Sequence, residues 1–134
     1  MLCCALVLAG CGGGKRPAVQ DLSGRENLSL FALQAIHGMR DGDRLQTVAT
    51  FSDSSSILTV EMRFAIGSPT RLESGTWRWS RNNQLRDGTV AARSVTFLGG
   101  QDGPPSIGGT YDLVGSDGAS LYRITIPATE LKRR

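Results

Sequence analysis

The chain has 134 residues, the size of one globular domain, so a large enzyme with separate cofactor and substrate domains is excluded. Apolar residues make up 40% of it and charged residues 20%, which is enough apolar surface for a core. The formal net charge is +3, and most of the basic residues are scattered arginines. Because nucleic-acid-binding proteins cluster such charge on one face, we expect no nucleic-acid partner.

The N-terminal segment combines an apolar run with all three cysteines of the chain. Residues 2–11 read LCCALVLAGC, which is too short to span a bilayer, since that takes about 20 residues. The run is typical of the apolar part of a secretory signal peptide. Only Met1 precedes it, without a basic segment, so we expect the natural start site to lie upstream. The cysteine-free remainder is predicted to contain neither a disulfide nor a thiolate metal site.

The end of this run, Leu8-Ala9-Gly10-Cys11, resembles the lipobox of bacterial lipoproteins. The resemblance implies a diacylglycerol thioether on Cys11, cleavage before Cys11, and acylation of the new amino terminus. More than one acyl chain gives stable membrane anchoring. Gly12, rather than an aspartate, follows the cysteine, which in Gram-negative members of this class implies sorting to the outer membrane. The resemblance therefore predicts a signal peptide at 1–10 and a periplasm-facing protein anchored in the outer membrane.

Residues 11–23 are predicted to be the lipidated cysteine and a flexible tether, because they contain Gly, Lys, Arg and Pro and little apolar surface. The globular part is predicted at 24–134. It shows short apolar runs of period 2, separated by turn-forming residues. These runs predict strands at Leu28–Ile36, Leu45–Phe51, Ile57–Ile66, Gly75–Ser80, Thr89–Leu98, Gly109–Val114 and Leu121–Ile126.

Local signals add detail to these strands. The apolar phase slips near Ala91–Arg93, which predicts a β-bulge. Pro127 is expected to end the last strand because it has no N–H for the ladder. The Asp-Gly pairs at Asp41-Gly42 and Asp87-Gly88 predict turns, and Gly115–Gly118 predicts a short hairpin.

The strand series without an intervening helix predicts an all-β antiparallel sandwich, immunoglobulin-like in a broad sense. The alternative is a small closed β-barrel. Gly75-Thr76-Trp77 resembles the Gly-x-Trp motif of lipocalin-like barrels, although that motif lies on the first strand of the family and about three strands precede it here.

Two segments are candidate binding sites. Trp77 and Trp79 are two residues apart, so both indoles lie on one face of a strand and Arg78 lies on the other. Exposed indoles would stack on a sugar or a peptide, whereas buried ones would fill a disulfide-free core. The glycine-rich segment that contains Gln101 and Asp102 is expected to be either a crossover connection or a partner-binding loop.

We predict no catalytic residue and no metal or cofactor. His37 is the only histidine, no nucleophile-elbow pattern accompanies it, and it is expected to end a strand in solvent. The pairs of acids at Asp41–Asp43 and the loop at Asp53–Ser56 have turn chemistry without EF-hand spacing.

The leading hypothesis is a membrane-anchored lipoprotein with a binding or structural, assembly-related role in the cell envelope. Its expected partners are the membrane, through the acyl chains on Cys11, and another envelope protein or a glycan. The alternative is a small-ligand or glycan-binding lipoprotein that uses Trp77 and Trp79, which predicts a concave, partly apolar pocket containing at least one indole.

Overall fold

The structure, a computed structural model, describes residues 17–81, 83–99 and 104–132. The expected lipidation site at Cys11 and the loop residues Gln101 and Asp102 lie outside the described residues. Within the described residues the chain is all-β and contains no helix. The strands are β1 (Val19–Asp21), β2 (Ala32–Asp41), β3 (Arg44–Ser52), β4 (Ile57–Ala65), β5 (Arg71–Arg81), β6 (Gln84–Leu98), β7 (Ser106–Val114) and β8 (Ser120–Glu130).

All eight strands belong to one antiparallel sheet in the order β1-β8-β7-β6-β5-β4-β3-β2. From β2 onward each strand pairs with the next one in the chain, and β1 adds to the far side of β8. The sheet curls into a half-barrel. The prediction of an all-β antiparallel fold is confirmed.

One face of the curled sheet carries the core. In β4 the predicted alternation is confirmed, because Leu58, Val60 and Phe64 are buried whereas Glu61 and Arg63 are exposed. Residues from most strands join the same cluster. Its largest fully buried side chains are Trp77, Trp79, Tyr111, Phe51 and Phe64. A period-2 pattern therefore places apolar side chains inside the curl and polar ones outside it.

Two different segments lie along the side of β8 that faces away from β7, one near each end of the strand. Near its start, β8 pairs with β1. Just beyond its end, the N–H of Gly38 donates to the carbonyl of Lys132 at 2.9 Å, and the N–H of Lys132 donates to the carbonyl of Ile36 at 3.1 Å. The two edges of the sheet therefore approach each other here. Since β1 lies within 11–23, the sheet begins earlier than the predicted boundary at residue 24.

The prediction that Pro127 ends the last strand is wrong, because β8 continues to Glu130. Pro127 and Ala128 lie together opposite Gly108, so the strand bulges where the proline cannot donate. A side chain at position 108 would come within 2.8 Å of the backbone of Ala128. Pro127, which has no N–H to donate, and Gly108 therefore lie opposite each other in the same β-bulge.

The predicted turn at Asp87-Gly88 is also wrong, because both residues lie inside β6. The chain instead turns after Arg81, where Asn83 has a φ of 61°. Asparagine is among the residues that tolerate this left-handed conformation. The turn predicted at Asp41-Gly42, the bulge near Ala91–Arg93 and the last hairpin are confirmed. One extra residue, Arg93, forms the bulge in β6, and the N–H of Gly115 donates to the carbonyl of Ala119 at 2.9 Å in the last hairpin.

Residues 22–31 form a capping segment rather than the start of a strand. The carboxylate of Asp21 accepts hydrogen bonds from the N–H groups of Ser23 at 2.9 Å and Glu26 at 3.0 Å, which turns the chain. The turn directs Leu28 and Phe31 into the core, where both are buried. The predicted strand at Leu28–Ile36 is thus displaced, because the chain covers one mouth of the curl before β2 begins.

Candidate binding surfaces

The two tryptophans lie on one face of β5, as predicted, and that face is the inside of the curl. Trp77 is 1% exposed and Trp79 is 2% exposed. The Nε1–H of Trp77 donates to the carbonyl of Val114 at 3.0 Å, and that of Trp79 donates to the hydroxyl of Ser56 at 3.1 Å. Buried indoles with satisfied N–H groups are core residues, so neither ring offers a face to a ligand.

The polar loop between β3 and β4 supports this core. The Oδ1 atom of Asp53 accepts hydrogen bonds from the N–H groups of Ser55 at 2.7 Å and Ser56 at 2.9 Å. These bonds, that of Ser55 first, lower the pKa of Asp53, so the carboxylate stays ionised. The loop thereby holds the Ser56 hydroxyl beneath Trp79. The predicted turn at Asp53–Ser56 therefore places the hydrogen-bond acceptor of the buried Trp79.

A small cavity lies at the capped mouth, among Trp79, Arg81, Arg86 and Tyr122. Its volume is about 50 Å³, which suits one or two waters rather than a sugar ring. The guanidinium of Arg81 lies 5.6 Å from the Trp79 ring centroid and pairs with Glu26 of the capping segment. Arg86 donates to the hydroxyl of Tyr122 at 2.6 Å. These contacts fill the mouth instead of leaving it open.

The outer face of the central strands is exposed and polar. Arg78 projects there, opposite the tryptophans as predicted, with Thr59 and Asp87 as its cross-strand neighbours. A depression of about 410 Å³ surrounds it. A second depression, of about 420 Å³, lies toward β2 and is lined in part by Met39 and Arg63. Both are large enough for several side chains of a partner.

A carboxylate with two arginines forms the main charged cluster on β6, β7 and β8. Asp112 is buried and accepts a hydrogen bond from Nε of Arg123 at 2.8 Å. Arg93 lies 3.4 Å from the other carboxylate oxygen. The hydrogen bond from Arg123 lowers the pKa of Asp112 against the opposing effect of burial. Sequence reasoning missed this cluster because the bulge at Arg93 and the pairing of β7 with β8 bring its members together.

The single histidine lies within β2. The prediction that it ends a strand is therefore wrong. His37 is partly buried, and its Nδ1 atom is buried without a hydrogen-bond partner among the described residues. Across the described part of the chain, no group of three or more His, Cys, Asp and Glu residues has the arrangement of a metal site. The same residues include no helix long and apolar enough to cross a membrane.

Comparison with known proteins assigns no relative. No protein-family model matches the chain, and neither a curated protein nor a solved structure shows significant similarity to it. The N-terminal motif and the surfaces described above are therefore the features that bear on function.

Proposed function

We propose that this protein is a membrane-anchored bacterial lipoprotein with a binding or structural, assembly-related role in the cell envelope. The lipobox resemblance of Leu8-Ala9-Gly10-Cys11 supports the anchor and the periplasm-facing location at the outer membrane. In this proposal the folded domain is non-enzymatic and recognises its partner through its outer surface.

The filled interior is the observation that carries this choice of surface. A small-ligand binder would need an apolar pocket with an accessible indole. Trp77 and Trp79 are instead buried, and the cavity beside Trp79 is about 50 Å³. The outer depressions are about eight times larger, at 410 and 420 Å³. Recognition on the outside therefore fits the molecule better than the sugar or ligand site considered from the sequence.

For the finer architecture we favour the small closed barrel over the sandwich. The single sheet and its curl support this interpretation. The last strand pairs with β1 near its start, and Lys132 beyond its end pairs with β2. The hydrogen bonds on both sides of β8, together with the bridge just beyond its end, support closure of the sheet around the core.

The anchor is tested by replacing Cys11 with serine and fractionating cells that express the whole chain. We expect the parent to pellet with membranes and the Cys11→Ser variant to lose that attachment. Cys4→Ser is the matched control, because the same chemical change leaves the lipobox intact. Mass spectrometry should find the acyl groups on Cys11. Unchanged localisation of Cys11→Ser would refute the anchor.

The binding role is tested by photo-crosslinking in living cells. A photoreactive residue at exposed Arg78 or Ala91 should crosslink to a discrete envelope component, whereas one at buried Leu113 should not. If the exposed positions give only the background seen at Leu113, the binding role is wrong.

A further inference from the structure

Strands β5 and β6 are hydrogen-bonded to each other over only part of their lengths. Their pairing runs from Arg81 and Gln84 to Thr76 and Thr89. Among the residues that the structure describes, β5 pairs beyond that point only with β4, and β6 continues to Leu98 paired only with β7. In the described structure the two strands thus separate around a cleft of about 440 Å³. We call this cleft the β5–β6 split.

Two bulges account for the split. One extra residue, Glu73, stands in β5 relative to β4, and another, Arg93, stands in β6 relative to β7. A bulge bends its strand and increases its local twist, so bulges in both flanking strands turn the strands apart. Glu73 pairs with Arg44, and Arg93 contacts Asp112 at 3.4 Å while its side chain stays 55% exposed. The split is therefore built into the sheet by residues held in place.

The split offers an open strand edge above an apolar floor. Within the described part of the chain, residues 91–98 of β6 have no strand partner on the side that faces β5. An edge of this kind is a template for another extended chain. Leu72, Val90 and Val95 are partly buried and pack against the core beneath it. An added strand would place alternate side chains on this floor and the others in solvent.

The charge around the split favours an acidic occupant. Arg71 and Arg93 are exposed beside it. The nearest acids are already neutralised, because Glu73 pairs with Arg44 and Asp112 accepts its closest bond from Arg123. Two copies of this chain joined edge to edge would bring like charges together, whereas a segment carrying carboxylates would meet opposite ones.

We propose that the β5–β6 split binds an extended acidic segment of another envelope protein, which adds as a strand to β6 over Ala91–Leu98. Apolar side chains of that segment cover Leu72 and Val95, and its carboxylates lie beside Arg71 and Arg93. The inference rests on the proposed function, because it supplies the class of partner for the envelope role.

The test uses the purified full chain in detergent and a synthetic peptide of alternating valine and aspartate, blocked at both ends. Titration of the labelled peptide gives its affinity, and hydrogen exchange locates it. We expect amides within Ala91–Leu98 to exchange about tenfold more slowly when the peptide is bound. A peptide with lysine for aspartate, and one with alternate amides methylated, should not bind, since the first reverses the charge and the second removes the donors.

Variants of the protein separate this site from general charge attraction. Arg71→Glu should weaken binding of the peptide about fivefold, as expected for loss of an exposed charge pair. Arg25→Glu is the matched control, because it makes the same charge change on the capping segment and should leave the affinity unchanged. Circular dichroism verifies that both variants are folded.

The inference is overturned by absence of binding, by equal effects of Arg71→Glu and Arg25→Glu, or by protection of the β2 edge in place of β6. A dimer that protects Ala91–Leu98 without peptide would show instead that a second copy occupies the split. Because purified protein is used, a failure here leaves the lipid anchor standing, and a failure of the Cys11→Ser test leaves the peptide result standing.

Discussion

At the scale of single residues, Gly88 shows how closely packed the inside of the sheet is. A Cβ atom at this position would lie 1.9 Å from the carbonyl oxygen of Val114 and 2.6 Å from Nε1 of Trp77. These two atoms form the hydrogen bond that satisfies the indole. The glycine therefore allows β5 and β7 to be linked across β6 by a side chain.

Gly88→Ala should lower the free energy of unfolding by about 2–4 kcal/mol, because the added methyl group separates the indole from its acceptor and crowds the core. Urea unfolding followed by tryptophan fluorescence measures this loss. Gly67→Ala is the control, since its Cβ would meet only the carbonyl oxygen of Pro69 at 3.5 Å. Equal losses in the two variants would contradict the packing argument.

The charged cluster predicts a dependence of stability on pH. The hydrogen bond from Arg123 lowers the pKa of Asp112 below its ordinary value of 3.8 in the folded state. The carboxylate of Asp112 therefore binds a proton less readily in the folded state than in the unfolded state. Its contribution to the free energy of unfolding is present above pH 3.8 and is lost as the pH falls through the lowered pKa.

Asp112→Asn should cost about 1–2 kcal/mol at pH 7, because a buried acceptor of two arginines loses its charge. The cost should shrink in acid, where the parent's carboxyl is also neutral. Urea unfolding at a series of pH values measures it, with Asp41→Asn, at the exposed end of β2, as the control. A penalty that stays constant with pH would show that the charge of Asp112 is unimportant.

At the scale of elements, the capping segment fixes one mouth of the curl. The ring of Phe31 meets that of Trp79 edge-on, with centroids 5.0 Å apart. Glu26 pairs with Arg81, whose guanidinium lies over the same indole. The segment thus covers Trp79 from one side while β5 holds it from the other.

Phe31→Ala should destabilise the fold by about 3–5 kcal/mol, the usual cost of removing a buried phenylalanine. In a Trp77→Phe background it should also increase acrylamide quenching of Trp79. Leu30→Ala is the control, because the neighbouring Leu30 is 79% exposed. If quenching rises equally in both, the segment does not cover Trp79.

At the scale of the whole molecule, the end of the chain joins the two edges of the sheet. Leu131 is buried and approaches Gly38 so closely that a Cβ there would lie 2.7 Å from its side chain. The backbone of Lys132 then pairs with β2. The apolar contact and the hydrogen bonds together position the C-terminal residues against the first long strand.

Leu131→Ala should lower the free energy of unfolding by about 2–3 kcal/mol and speed exchange of the Gly38 amide, which donates to Lys132. Lys132→Ala should change neither, because Lys132 contributes only its backbone to the junction and its side chain is exposed. If Leu131→Ala leaves the Gly38 amide protected, the leucine does not hold the edges together.

The sequence alone predicted the features that depend on neighbours in the chain. The alternation in Ile57–Ile66 predicted both the strand and its buried face, since successive side chains of a strand point to opposite sides. The phase slip near Ala91–Arg93 predicted a real bulge. The spacing of Trp77 and Trp79 predicted that both indoles lie on one face of a strand. The lipid anchor at Cys11, which the lipobox resemblance implies, stays a prediction.

Tertiary structure decided what depends on residues far apart in the chain. The Asp-Gly pair predicts a turn at Gly88, because no neighbouring residue shows that the carbonyl of Val114 lies beside it. Pro127 by itself predicts the end of a strand, because the bulge that accommodates it depends on the distant Gly108. No pattern in the sequence predicts the second bulge, at Glu73, or the opening between β5 and β6. Alternation sets the face of each strand, but strand pairing and packing decide which strands meet and where they part.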